Sequence, residues 1–161
     1  MTQAALSKDA TQYVTMGIDG EIFAAEVEGV REILDMRPVS RIPNAPPFMM
    51  GMIDVRGQGV VVIDLRVKLG LPAVAPTEDT RIVVMEVDVA GRTRLMGLVA
   101  DKVFEVTPLE EQAFESPPEV GVRWRSDYIR GISRRGGAFV IIFDLARLFS
   151  TDEAALVGAA G

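Results

Sequence analysis

The chain has 161 residues, of which 48% are apolar and 25% charged, and it contains neither cysteine nor histidine. The length fits one domain or two small subdomains with a shared core. The missing residue types exclude disulfides, thiolate nucleophiles, zinc–thiolate sites and catalytic pairs built on imidazole. The net charge of −6 repels a phosphate backbone, so we expect no nucleic-acid binding.

Hydropathy gives no sign of a membrane span or an export signal. No apolar stretch reaches the 18 or more residues that a spanning helix needs. The first ten residues lack the cationic start and apolar core of a signal peptide, so we expect a cytoplasmic protein that is not inserted directly into the membrane.

The first predicted elements are a loose tail and a β-hairpin. Residues 1–10 carry few large apolar groups and are expected to be poorly ordered. Residues 12–18 and 21–27 are predicted strands. Asp19-Gly20 between them is typical of a two-residue turn, because glycine accepts the positive φ that this turn demands.

A proline-rich segment follows the hairpin. Residues 29–34 have mixed apolar spacing, and Gly29 favours a bulged strand over an uninterrupted helix. Four prolines break regular structure across residues 38–47. Residues 47–50 are predicted to form a single helical turn with a proline at its start.

A second hairpin and a short helix are predicted next. Residues 51–56 and 60–63 are strands around a tip at residues 56–59. Asp64 is a plausible N-cap for a helix over residues 65–69, which a glycine then ends.

The rest of the chain is predicted to be mostly β. Residues 70–80, with two prolines, are the best linker candidate. The later predictions are strands at 81–89, 92–100 and 101–106, irregular structure at Pro108, Pro117 and Pro118, and a loosely helical end at 152–160. About ten short strands favour an all-β barrel or sandwich over an α/β sheet.

The same pattern occurs twice, 80 residues apart. Residues 48–69 and 128–149 each contain an aromatic residue, a glycine, an apolar run and Asp-Leu at equivalent positions. The unshifted spacing predicts two similar β units with a short helix after each Asp-Leu.

Several side chains are candidates for chemistry or binding. Asp64 and Asp144 occupy equivalent repeat positions, where helix capping explains them better than acid–base chemistry does. A β-barrel enzyme or small-molecule binder using these two and Asp101 is a remaining alternative, which a deep polar pocket would support. Phe48 is expected in the core, whereas Met49 and Met50 suit a core and a compliant contact surface about equally.

Five arginines lie close together in the sequence near the second repeat copy. We interpret them as solvated loop charges; a patch for an acidic protein partner is the alternative. They are Arg123, Arg125, Arg130, Arg134 and Arg135.

Ordered sequence motifs resemble those of the CheW chemotaxis coupling proteins. They are IPNAPPF at residues 42–48, GMIDVRG at 51–57, VIDLR at 62–66, GLVADKV at 97–103 and YIRG at 128–131. The resemblance implies an all-β fold of two packed five-stranded SH3-like barrels in a single domain over residues 11–150, with loose tails at 1–10 and 151–161.

The resemblance also implies a function. Members of this family are adaptors without catalytic activity or cofactors, and they join the cytoplasmic tips of methyl-accepting chemoreceptors to the regulatory domain of the histidine kinase CheA in a two-component system. They help to build receptor arrays at the membrane and to control the kinase. Weak self-association in array rings is compatible with this role. An array that controls something other than motility is the alternative.

The family resemblance assigns partner binding, or integrity of the binding groove, to six positions. They are Val30, Glu32, Arg56, Gly57, Gly97 and Val103. The receptor's helical hairpin is expected to dock in the groove between the barrels. Asp54 stands where asparagine is common in the family, and we expect it to form an ion pair with Arg56.

Overall fold

The computed structural model describes residues 11–89, 91–116 and 128–148. The elements within these residues are β1 (Thr11–Ile18), β2 (Glu21–Glu26), β3 (Val30–Asp35), β4 (Met49–Val55), β5 (Gln58–Asp64), α1 (Leu65–Lys68), β6 (Arg81–Val89), β7 (Arg92–Ala100), β8 (Lys102–Leu109), β9 (Ile129–Arg135), β10 (Ala138–Phe143) and α2 (Leu145–Leu148). Single 3₁₀ turns occur at Val27–Gly29 and Glu111–Ala113.

The strands form two five-stranded sheets, which we call the first and second barrels. The first has the order β8-β1-β2-β10-β9 and the second β3-β6-β7-β5-β4. Neighbouring strands are antiparallel except for the parallel pairs β2–β10 and β5–β7. The chain leaves the first barrel after β2, builds the second and returns at β8. The predicted linker at residues 70–80 therefore connects two elements of the second barrel instead of separating the barrels.

Each barrel is closed by a loop segment that bridges to an edge strand. In the second barrel the Ser40 amide donates to the Met52 carbonyl at 2.9 Å and the Met52 amide to the Ser40 carbonyl at 2.8 Å. In the first, Glu115 and Ile132 exchange the same two bonds at 2.8 and 2.9 Å. The two barrels thus use one closing device, at corresponding positions of the repeat.

The repeated glycines lie where these closing segments pass. A Cβ on Gly51 would be 1.9 Å from the Ser40 carbonyl oxygen, and a Cβ on Gly131 would be 2.9 Å from the Phe114 Cβ. Glycine is therefore required at both positions by close approach of another segment, and at Gly51 also by a φ of +146°.

Three hydrophobic clusters explain why the longest apolar runs show no alternation. In β5, Val60 and Val62 face the interior of the second barrel, whereas Val61 and Ile63 face a cluster shared by both barrels. β6 and β10 divide their side chains in the same way between a barrel interior and the shared cluster. We call this shared cluster the junction core.

The turn and bulge predictions for the first half of the chain are confirmed. Asp19 and Gly20 have φ values of +53° and +79°, as a two-residue hairpin turn requires. The register between β3 and β6 shifts between Val30 and Glu32, so the segment after Gly29 is a bulged strand.

Two predictions around prolines are wrong. Met49 and Met50 begin β4 instead of completing a helical turn. Pro108 lies inside β8, opposite Gln12, instead of marking irregular structure. An edge strand tolerates proline because one row of its amides has no strand partner. Pro117, Pro118 and residues 152–160 lie outside the described residues.

Candidate partner-binding site

The sharp hairpin tip between β4 and β5 presents Arg56. The turn has two residues, Arg56 and Gly57, with φ values of +54° and +86°, so it is shorter than the predicted tip at residues 56–59. The Gly57 amide donates to the Asp54 carboxylate at 2.7 Å, which fixes the turn. The Arg56 side chain is 80% exposed as a result.

Arg56 forms a two-pronged ion pair with Glu32 on β3. Nε lies 2.8 Å from one carboxylate oxygen and Nη2 lies 3.4 Å from the other. The hydrogen bond from Arg56 holds the pKa of Glu32 below its ordinary value. The expected Asp54–Arg56 pair is wrong, because Asp54 is engaged with the turn amide while Arg56 reaches across the sheet edges to Glu32.

Val30 and Val103 lie on different barrels but against the same cluster. Both are half-buried and pack against the junction core. Val30 is paired with Met85 across β3 and β6, and Val103 with Met16 across β8 and β1.

β8, the strand that carries Val103, also exposes two apolar side chains. Val103 lines a cavity of about 630 Å³ at the side of the first barrel, together with Lys102 and Phe104. The side chains of Phe104 and Val106 on this strand are about half exposed. Exposed apolar side chains of this size on one strand suit contact with another molecule.

Gly97 lies in the wall of the second barrel and has no exposed surface for a partner. It is buried in β7, where an added Cβ would lie 2.8 Å from Ile82 Cγ2 and 3.6 Å from Val62 Cγ2. An added side chain at Gly97 would therefore enter the interior of the second barrel.

The structure brings three of the six predicted residues together and separates the others. Glu32, Arg56 and Gly57 form one cluster at the edges of the second barrel. Val30 is two residues from Glu32 on the same strand, Gly97 lies inside the barrel wall, and Val103 belongs to the other barrel.

Sequence reasoning missed the role of Arg66 between the barrels. Its guanidinium clasps Asp101 with bonds of 2.9 and 2.7 Å and reaches Asp19 at 3.4 Å. Asp101 stands between β7 and β8, where the chain returns to the first barrel, and Asp19 is in the β1–β2 turn. Burial raises the pKa of Asp101, but the Arg66 hydrogen bonds and the Asp19 amide outweigh burial and leave that pKa lowered.

The role of Lys68 was missed as well. Its side chain is buried, and its ammonium lies 4.3 Å from the ring centre of Phe48 and 5.2 Å from that of Tyr128. A usable signal was present, since Lys68 follows Leu65 by three residues on one short helix and so shares its buried face.

The carboxylates at the repeat positions are helix caps, as predicted. The Asp64 carboxylate accepts from the Arg66 amide at 3.0 Å, and the Asp144 carboxylate from the Arg147 amide at 3.2 Å. Burial raises the pKa of Asp64. Within the described residues, no group of three or more acidic side chains is arranged to hold a metal ion.

The arginines of the basic cluster that the structure describes are exposed to solvent, as interpreted, but they lie on a strand and not in a loop. Arg130, Arg134 and Arg135 all lie on β9. Arg130 binds Glu26 and Glu111 at 2.8 and 2.7 Å, Arg134 pairs with Glu115, and Arg135 lies 3.5 Å from Glu105. Arg123 and Arg125 lie outside the described residues.

Two barrels fused through a common core, with an ion-paired tip and an exposed apolar strand, define a β-barrel scaffold for protein partners. The CheW-like domain family matches residues 12–153, so the chain belongs to that family. Membership makes it a chemotaxis adaptor.

Similar proteins include the chemotaxis protein CheW of Klebsiella aerogenes, 31% identical, with 91% of this chain and 86% of that protein covered. The chemotaxis protein CheW of Bacillus subtilis is 32% identical, with 74% of each chain covered. The crystal structure of the scaffolding protein CheW from Thermoanaerobacter tengcongensis superimposes with a TM-score of 0.77 at 29% identity, with 88% of each chain covered. In the part of this chain that the structure describes, no helix is both long and apolar enough to cross a membrane.

Proposed function

We propose that this adaptor couples the cytoplasmic tips of chemoreceptors to the regulatory domain of the histidine kinase CheA, and thereby helps to assemble the signalling array and to control the kinase. The supporting observation is the junction core, which joins two barrels carrying separate candidate contact surfaces. A body of this kind holds two partners in a fixed arrangement. A small shift in one bound partner then biases the other through differential contacts.

The receptor tip docks along the boundary between the barrels. Val30 and Val103 are supportive, because each is half-buried against the junction core from a different barrel. Phe104 and Val106 add two half-exposed apolar side chains on β8. A helix binds such a surface through apolar anchors spaced on one face, with polar groups at the rim.

Arg56 holds the geometry of this site through Glu32. Their ion pair connects the tip after β4 to β3, the strand that also carries Val30. Gly57 supports the same arrangement because its positive φ allows the two-residue turn. Gly97 contributes by keeping β7 close to its neighbours inside the barrel.

The adaptor performs no catalysis and needs no cofactor. Three carboxylates that suit acid–base chemistry in the sequence have structural partners, since Asp64 and Asp144 cap helices and Asp101 is clasped by Arg66. Its place is the cytoplasm, at receptor arrays on the membrane, without direct insertion. Weak self-association in array rings is compatible with this arrangement.

The first test is capture of partners by the tagged full chain from its own cells, with mass spectrometry as the readout. Recovery of a CheA-type kinase together with chemoreceptors supports the coupling role. Recovery of neither, from folded bait in cells that express both, overturns the proposed coupling and leaves the family and fold standing.

The second test is Arg56→Ala, with Arg92→Ala as the matched control. Arg92 is exposed on the same barrel and has no ion pair among the described residues. We expect Arg56→Ala to weaken binding to purified receptor tips or kinase regulatory domain by about tenfold. Removing Arg56 from the site also leaves Glu32 without its ion-pair partner. Unchanged binding of both partners, with an unchanged circular dichroism spectrum, contradicts the role of Arg56.

A further inference from the structure

A lysine occupies the boundary between the barrels at a position where the other repeat copy has leucine. Lys68 belongs to α1 of the second barrel, and Leu148, 80 residues later, belongs to α2 of the first. Both side chains are buried, and Leu148 is part of the junction core. An apolar residue therefore satisfies the equivalent position in the other copy, so the cation at Lys68 needs a separate explanation.

The surroundings of Lys68 come from both barrels. Phe48 lies just before β4 of the second barrel, and Tyr128 lies just before β9 of the first. The two rings are equivalent in the repeat, and the backbone around each is fixed in the same way. The Asp64 amide donates to the Phe48 carbonyl at 2.7 Å, and the Asp144 amide to the Tyr128 carbonyl at 2.8 Å.

The ammonium of Lys68 contacts both rings at once. The distances of 4.3 Å to Phe48 and 5.2 Å to Tyr128 are within the range in which a cation is attracted to an aromatic face. One contact is within the second barrel, whereas the other crosses to the first. The lysine thus connects two ring platforms, each of which is anchored to its own barrel.

We infer that Lys68 is a positioning residue that fixes the orientation of one barrel relative to the other. Apart from Lys68 and the ion pairs of Arg66 with Asp101 and Asp19, the contacts at the boundary are mainly apolar, and apolar burial is nondirectional. A buried cation has defined partners, and buried polar groups in other proteins select one arrangement at a cost in stability. Lys68 thus selects one orientation of the barrels, whereas Leu148 at the equivalent position contributes only apolar burial.

The test uses the complete lack of cysteine in the chain. Cysteines introduced as Gln112→Cys on the first barrel and Arg92→Cys on the second carry spin labels, because both positions are exposed. Pulsed electron–electron double resonance then measures the distance distribution between barrels. The free energy of unfolding in urea is measured on the same variants.

Three variants separate orientation from stability. Lys68→Leu copies the other repeat, and we expect it to fold with equal or greater stability but with a broader or shifted distance distribution. Lys68→Arg keeps the cation and should retain the wild-type distribution. Lys102→Leu is the control, since its ammonium lies 5.6 Å from the Phe104 ring centre within one barrel, and it should leave the distribution unchanged.

Two results overturn the inference. One is a wild-type distance distribution in Lys68→Leu, whatever its stability. The other applies if Lys68→Leu fails to fold: Tyr128→Leu then removes the aromatic ring that Lys68 contacts across the boundary, and a wild-type distribution in that variant refutes the positioning role. Neither measurement depends on the proposed receptor and kinase partners, so failure here is distinguishable from failure of the proposed function.

Discussion

Gly51 shows how a single missing side chain decides where a barrel closes. The Ser40 carbonyl passes so near that a Cβ would lie 1.9 Å away, and this oxygen is itself bonded to the Met52 amide. The obstacle is backbone held in place by the closing bridge, so a small side-chain movement cannot relieve it. The repeat glycine was visible in the sequence, but the segment that it accommodates was not.

Gly51→Ala is expected to destabilise the protein by more than about 3 kcal/mol, because it combines an unfavourable φ with a backbone clash. Gly70→Ala is the control, since Gly70 has a φ of +83° but nothing within 4 Å of an added Cβ. That change should cost only about 1–2 kcal/mol. Urea unfolding of both variants measures the difference, and equal losses would show that the contact with Ser40 is relieved.

Two carboxylates near Arg66 give opposite dependences of stability on pH. The pKa of Asp101 is lowered in the folded state, so its stabilisation is present above its unfolded pKa and is lost as the pH falls through the folded value, below about pH 4. The pKa of Asp64 is raised by burial, so protonation as the pH falls through that raised value favours the folded state.

Asp101→Asn should therefore show a smaller loss of stability on acidification than the wild type, and Asp64→Asn a larger one. Asparagine retains an oxygen that can cap α1, which limits other effects at residue 64. The check is the free energy of unfolding in urea between about pH 2 and 7. Parallel pH profiles for the two variants would contradict the opposite signs.

At the scale of elements, the most apolar strands bury both faces in different cores. Val61 faces the junction core and Val62 the interior of the second barrel. A period of two is therefore invisible in the sequence of β5, although the side chains do alternate. This is why the strand itself was predictable and the direction of its faces was not.

Val61→Ala and Val62→Ala should each lower the free energy of unfolding by about 2 kcal/mol, since each removes buried methyl groups from a packed core. Val74→Ala is the control, because Val74 is more than half exposed and its loss should change stability by less than about 0.5 kcal/mol. Denaturant unfolding measures these changes. An unchanged free energy of unfolding for Val61→Ala alone would mean that the junction between the barrels is loosely packed.

Local signals predicted most strands and turns, and long-range pairing accounts for what they missed. The turn at Asp19-Gly20 and the cap at Asp64 depend on residues next to one another, so the sequence reveals them. The strand containing Pro108 is stabilised by β1, almost a hundred residues earlier in the chain. The residues around Pro108 give no information about pairing with such a distant strand.

For the candidate site as well, the sequence predicted individual residues but not their contacts. The family resemblance assigns both Arg56 and Glu32 to the site, but the ion pair between them depends on β3 and β4 meeting at the edges of one closed sheet. Arg66 entered the sequence analysis only as part of a family motif, and Lys68 was not singled out, because charged side chains of a short helix usually lie in solvent. Tertiary structure turns both toward the other barrel.

For the whole molecule, the junction core makes the barrels interdependent. It takes side chains from both sheets, so that separating the barrels would expose Phe23, Ile63, Leu65 and other fully buried residues. We expect one cooperative unfolding transition, with equal calorimetric and van't Hoff enthalpies. Two resolved transitions in differential scanning calorimetry would mean that each barrel is stable without the other.

The insertion of the second barrel between β2 and β8 also orders events during synthesis. Strands β3 to β7 are contiguous, so the second barrel has all its strands before β9 and β10 leave the ribosome. The first barrel must wait, because β2 pairs with β10 more than a hundred residues later. The β1–β2 hairpin meanwhile carries Val14, Met16 and Phe23, whose partners in the junction core include residues of the second barrel. We therefore expect the apolar face of the nascent β1–β2 hairpin to pack first on the completed second barrel. Strands β9 and β10 then complete the first barrel when they emerge.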